Sequence, residues 1–194
     1  MRGERITVLE RALALKTEEH GADSQQLSHE HGVLGNLLGQ TGRFAEALWH
    51  LERALALHRS ARNPLGEPYE HLVAASMVDV ATCHSRMGRH EAALGLLREA
   101  VALEERLHGP DHKVSPAPAP PSCWCEPHSS LKLGAFGGGG RQNVADTRHN
   151  MGVVLKLMGD EAGGSTQLRH ALRIYKRTLA PEHPLLEAVR AKLQ

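Results

Sequence analysis

Aromatic side chains are scarce in this chain: two Trp, two Tyr and two Phe among 194 residues, 3% in all. With 41% hydrophobic content and so few rings, the core must be built from Leu and Ala, both strong helix formers. Charge of one sign is lacking too. A formal net charge of +1 gives no reason to expect nucleic acid or an anionic membrane as partner, since both select a basic excess. No apolar run approaches the ~20 residues of a membrane span, and Met1-Arg2-Gly3-Glu4-Arg5 leads into an amphipathic helix without a secretory apolar segment. There are three cysteines, two of them in one atypical segment. That usage argues for a reducing compartment, and a cytoplasmic location is expected.

What the chain does contain is a repeat. Leu51-Glu52-Arg53-Ala54-Leu55-Ala56-Leu57 copies Leu9 to Leu15 letter for letter, and weaker copies stand at Leu97 to Leu103 and Leu168 to Ile174. The central alanines, Ala12, Ala54, Ala100 and Ala171, are separated by steps of 42, 46 and 71 residues. Gly42, Gly88 and Gly159 each lie 12 residues before an alanine, and Gly35, Ala81 and Gly152 lie seven residues before those glycines. Two marks at a fixed offset define a unit in which a small residue allows close helix approach, a glycine turns the chain, and an alanine meets a facing helix. Periods in this range signal stacked helical pairs.

Apolar spacing and breakers then divide the chain. Residues 4 to 19 form the second helix of a half unit, ended by Gly21-Ala22-Asp23-Ser24. The first complete unit takes residues 28 to 40 and 44 to 60 about Gly42, with Asn63-Pro64-Leu65-Gly66-Glu67-Pro68 as the stop. The next takes residues 70 to 86 and 89 to 107 about Gly88, ended by Gly109-Pro110. A last unit hinges at Gly159 and is followed by the start of a further helix. Because both ends are half units, Leu9, Leu13, Leu185 and Leu186 are expected to expose apolar faces.

Gly42-Arg43-Phe44-Ala45-Glu46-Ala47, Gly88-Arg89-His90-Glu91-Ala92-Ala93, Leu51-Glu52-Arg53-Ala54-Leu55, Gly109-Pro110-Asp111-His112 and Pro181-Glu182-His183-Pro184 resemble tetratricopeptide repeats, in particular the 42-residue kinesin-light-chain-like subclass. The resemblance implies an all-α fold, a right-handed superhelical solenoid of antiparallel helix pairs. It covers residues 1–113 and 143–194 and is interrupted by one insert at 114–142. The last unit departs from it with Gly163-Gly164 where the others carry alanine, so its second helix is expected to start weakly. The coiled-coil heptads by which a kinesin light chain holds its motor are absent, so no motor role is implied.

In such arrays the first helices of successive units line a concave groove. By resemblance the groove is faced by His29, Gly32, Val33, Asn36 and Gln40, then Ala75, Val78, Thr82, Ser85 and Arg86, then Asp146, His149, Asn150, Val153 and Lys156. Of these, His29, Asn36, Gln40, Thr82, Arg86, His149, Asn150 and Lys156 are the candidate partner-binding residues. Asn36 and Asn150 stand where such arrays place an amide that bonds a bound peptide's backbone, donating and accepting together. The basic set that captures a C-terminal carboxylate is not reproduced, because Gly32 occupies the place of its leading lysine. The resemblance thus implies a non-catalytic scaffold that docks a peptide or helix of another protein, without a cofactor. The alternative is the regulatory repeat array of a larger nucleotide-binding signalling protein whose switch domain would precede Met1.

Residues 114 to 142 belong to neither pattern. They hold five of the ten prolines, five of the 19 glycines and two of the three cysteines. Removing these 29 residues returns the 71-residue step to 42. Lys113-Val114-Ser115 can be encoded by a splice donor and Gln142 by an acceptor's CAG, so the segment reads as a retained intron and is expected to be disordered. Cys123-Trp124-Cys125 with His128 lacks the second ligand pair of a structural zinc site. Gly137 to Gly140 lacks the Gly-Lys-Ser/Thr of a phosphate loop. The 14 histidines are scattered and read as solvated helix and loop positions, Cys83 reads as a small core residue, and no Ser/His/Asp or Cys/His set is placed by a recognisable turn. Neither a catalytic residue nor a metal ligand is therefore assigned. Deleting residues 114–142 is expected to leave the melting temperature unchanged or slightly higher, a change on the order of 1 kcal/mol. A loss of helical circular dichroism on deletion would show that the segment is structural.

Overall fold

Glycines and small residues at fixed offsets set the geometry of each unit. The computed structural model describes residues 2–62, 65–108 and 144–194, so Asn63, Pro64, the Gly109-Pro110-Asp111-His112 linker and the whole 114–142 insert lie outside the described residues. Within them run α1 (Arg2–His20), a 3-10 turn (Gln25–Leu27), α2 (Ser28–Gln40), α3 (Phe44–Ser60), α4 (Glu70–Arg86), α5 (His90–His108), α6 (Val144–Leu157), α7 (Glu161–Thr178) and α8 (Pro184–Ala191). The tightest packing is within the pairs α2/α3, α4/α5 and α6/α7, followed by the successive contacts α3/α4 and α5/α6. The first helices also touch in sequence, α2 with α4 and α4 with α6, whereas the second helices make no comparable contact with one another. First helices therefore form the inner layer of a right-handed superhelical solenoid, and second helices the outer layer.

Each pair closes in the same way. Gly42, Gly88 and Gly159 adopt φ of +83°, +76° and +87°, a region that a Cβ disfavours. The amide after each glycine reaches back into the first helix: Arg43 N to Leu38 O at 3.1 Å, Arg89 N to His84 O at 2.9 Å and Asp160 N to Leu155 O at 3.0 Å. This pattern satisfies carbonyls that the helix end leaves open and sends the chain back antiparallel. A Cβ on Gly35 would stand 2.7 Å from Leu51 Cγ, and one on Gly152 would stand 2.8 Å from Leu168 Cγ and 2.9 Å from the Gly164 carbonyl oxygen. The residues that face them across the pair are Ala47 and Gly164, and the middle unit has wholly buried Ala81 and Ala93 at the same positions. Gly163-Gly164 does not delay α7. Asp160 caps the helix by accepting from the Gly163 amide at 2.8 Å, and Gly164 allows the crossing, since a Cβ there would lie 2.8 Å from Gly152 O.

A polar contact recurs between units. Four residues after the central alanine, a side chain reaches the residue that stands five before the next unit's small residue. Lys16 pairs with Glu30, His58 Nδ1 meets Ser76 Oγ at 2.7 Å, and buried Glu104 faces buried Thr147. The fourth copy, Tyr175, instead donates to Asp146 in its own unit.

The core forms two clusters. The larger runs from Ile6 through α2 to α5 and ends on Met151, Val154 and Leu155. The smaller joins Val144, Ala145, Leu168, Ala171, Ile174 and Tyr175 to Leu186 and Val189 of α8. The expected apolar ends are corrected accordingly. Leu13 and Leu186 are buried and Leu9 and Leu185 partly so, because α1 packs on α2 and α8 packs on α7. The exposed large apolar residues of α1 are Val8 and Leu15, 67% and 59% accessible, on its other side.

Gly152→Ala is expected to destabilise by about 1–3 kcal/mol, because the clash is with backbone and core rather than with a flexible chain end. Gly95→Ala, at a helical site with nothing within 4 Å, is expected to stabilise by up to about 1 kcal/mol. Thermal denaturation of the two variants checks both signs.

Candidate functional site

The inner layer carries most of the chain's buried polar side chains, and the candidate groove residues divide there into three groups. His29, Gln40 and Arg86 are exposed and lie along α2 and α4. Asn36, Thr82, His149 and Asn150 are buried, each no more than 4% accessible. Lys156 is half-buried.

Asn36 is committed within the fold. Its Nδ2 donates to Gly32 O at 3.0 Å, and the amide acts on the carboxyl of Asp79 on α4. Thr82 likewise turns inward, its hydroxyl donating to Val78 O at 2.8 Å. Asn36 thus spends one amide proton within its own helix. Asp79 and Asn150 occupy the same position in their units, two residues before Ala81 and Gly152. Asp79 Oδ1, Ser85 Oγ and Asn150 Oδ1 are buried without a hydrogen-bond partner among the described residues. Burial pushes the Asp79 carboxyl well above the ordinary carboxylate range, against the opposing hydrogen bond from Asn36.

At the last unit the chain itself reaches the inner layer. The Lys192 ammonium donates to His149 Nε2 at 3.1 Å. Lys156 Nζ donates to the Lys192 carbonyl at 2.7 Å and pairs with Glu161 at 2.9 Å. These contacts follow from α8, whose packing on α7 brings its final turn back over α6. They were not legible from repeat spacing, which carries no information on how far a following helix folds back.

The histidines are not uniformly solvated, contrary to expectation. His31 and His149 are buried, and His31 Nδ1 lies 2.9 Å from His50 Nδ1. Burial, assisted by the charges of His50 and Arg53, brings the His31 pKa down to about 4. Burial also lowers His50, His58 and His84. Cys83 is a core residue as expected, its thiol donating to Phe44 O at 3.2 Å and pushed up to about 11, chiefly by burial. Among the described residues no three His, Cys, Asp or Glu side chains converge, and no helix is long and apolar enough to cross a membrane.

Stacked antiparallel helix pairs with polar side chains along the inner layer define a helical-repeat scaffold of the kind that holds other proteins. The family model described as tetratricopeptide repeat matches residues 32–64, 73–113 and 144–185, and the chain belongs to that family. BtubC (BKLC) from P. vanneervenii superposes with a TM-score of 0.67 at 14% identity over 97% of this chain. This chain spans 63% of the length of BtubC. Two structures of the nearly identical TPR-like repeats of a protein assigned as a kinesin light chain in Podosopora anserina superpose at 0.64 and 0.62, each 19% identical over 99% of this chain and 75% of that one. At these identities the likeness is one of fold. No curated protein matches the chain in sequence.

Glu104 makes stability depend on pH. Burial raises its pKa to about 8, Thr147 opposes the rise, and Asp146 and Glu105 add to it. The folded state binds the extra proton, so this contribution is complete below the unfolded value and is lost as pH rises toward 8. The depressed histidines act oppositely, their contribution complete above about 6.5 and lost as pH falls toward the folded values. Glu104→Gln is therefore expected to abolish most of the fall in stability between pH 5 and 8, up to about 4 kcal/mol. Denaturant midpoints across that range check it, and parallel curves for parent and variant would contradict it.

Proposed function

We propose that the chain is a non-catalytic scaffold whose inner layer, formed by α2, α4 and α6, docks an extended or helical segment of another protein. The observation that carries this reading is the polar inner layer, where Asp79 Oδ1, Ser85 Oγ and Asn150 Oδ1 are among the buried polar atoms without partners. A buried polar atom left unbonded costs about 1–3 kcal/mol, and native folds retain few of them without a reason. All three stand on first helices, at positions two before or four after the small residue of their unit. The Asp79 carboxyl and the Asn150 carbonyl supply polar groups that a peptide main chain can complement. Exposed His29, Gln40 and Arg86 supply the rim where side chains of the segment are read. Lys156, held by Lys192 and Glu161, bounds the site at its far end.

Segments selected from a displayed peptide library against the full chain test this reading. Asn150→Ala combined with Arg86→Ala is expected to weaken the selected segments by about 1–3 kcal/mol, ten- to a hundredfold, with helix content unchanged. Glu99→Ala, exposed on the outer layer, is expected to leave affinity within experimental error. Arg53 is not a neutral control, because its guanidinium bonds Ala22 O and Asp23 Oδ1, each at 3.0 Å. Equal affinity in the parent and the double variant would move the docking surface off the inner layer.

A further inference from the structure

We propose that His31 and His50 form a two-nitrogen binding site for a late first-row divalent cation, copper(II) above all, with both Nδ1 atoms as ligands. The residues lie on α2 and α3 of one unit, and their Nδ1 atoms are 2.9 Å apart. The rings meet almost head to head, with centroids 5.2 Å apart. With metal–nitrogen bonds of about 2.0–2.1 Å, cis ligands of a tetragonal ion stand about 2.9 Å apart and those of a tetrahedral ion about 3.3 Å. The observed separation sits at the tetragonal end. Turning each facing lone pair by about 45° off the line between the nitrogens aims both at one shared point, as right-angled ligands require.

The repeat itself supplies the argument that packing does not demand this pair. The same two positions, 19 residues apart, hold Met77 and Leu96 in the next unit and Arg148 and Gln167 in the last. Met77 and Leu96 belong to the apolar core, and Arg148 donates to Gln167 at 2.8 Å. An apolar pair therefore fills the site within the same architecture, while the histidine pair places two titratable rings there. The carboxylates of Glu10 and Glu46 act on His50 and favour a cation, against the opposing charge of Arg53 on His31. His50 is half-exposed, so water can complete the coordination shell. In the neutral pair one ring donates its Nδ1 proton to the other. Metal binding returns that proton to the donor ring's own Nε2, so no net proton is released at neutral pH.

Trp49 reports on the site directly, its ring centroid 5.6 Å from that of His31 and 4.7 Å from that of His50. The experiment uses the full chain carrying Trp124→Phe, so that Trp49 is the sole tryptophan, titrated with copper(II) at pH 7.4. Emission is expected to be quenched, saturating near one ion per chain. The double variant His31→Met/His50→Leu, which copies the neighbouring unit's pair, is expected to keep its helix content and to raise the half-saturation concentration by more than about tenfold. His50→Gln provides a second, polar-preserving test with the same expectation. Quenching that is unchanged in both variants, or absent in the parent, would overturn the proposal.

Discussion

The rest of the molecule depends on how closely two helix backbones cross inside each unit. At the crossings Gly35 faces Ala47, buried Ala81 and Ala93 hold the matching positions in the middle unit, and Gly152 faces Gly164. The third pairing dispenses with both Cβ atoms, and a Cβ on either glycine would run into backbone oxygen. This approach sets the angle between first and second helices, hence the rotation from unit to unit, hence which side chains of α2, α4 and α6 are pressed together. Buried Asn36, Asp79, Thr82, His149 and Asn150 are consequences of that spacing. On a single amphipathic helix they would be solvated.

Helix positions were legible in the sequence to the residue for α2, α3 and α4, because turn glycine, small residue and alanine are independent marks with fixed offsets. The second helix of the middle unit is displaced by a single position, starting at His90 rather than Arg89. The candidate site was legible only in part. Helical periodicity identifies the face on which Asn36 and Asn150 stand. It does not say whether a neighbouring first helix covers that face, since coverage depends on a crossing angle that one sequence does not encode locally. His31 and His50 were missed for a different reason. A search for ligands at spacings within one helix passes over a pair joined across a turn. Comparison of the units position by position would have found it, since histidine stands at both places where the neighbours carry Met77 and Leu96 or Arg148 and Gln167.

Between units the constraint relaxes. The joint can be made by any two side chains that fill the space, and the chain uses three chemistries in turn: an ion pair at Lys16–Glu30, a neutral hydrogen bond at His58–Ser76 and a buried acid against a hydroxyl at Glu104–Thr147. Repeat scaffolds tolerate this variety because stability is a sum of unit terms and nearest-neighbour joints.

That variety gives the array a direction. The carboxylate of Glu30 is held below its ordinary range by Lys16 despite the opposing effect of burial, and His58 resists protonation through burial, so acid loosens the first two joints. Glu104 loses its proton on the alkaline side, so base loosens the third. A one-dimensional stack opens at its weakest joint, and here the identity of that joint changes with proton concentration. On acidification the solenoid would fray from its α1 end, and on alkalinisation it would part between α5 and α6, releasing the unit that contains α6 and α7 as a separately mobile body.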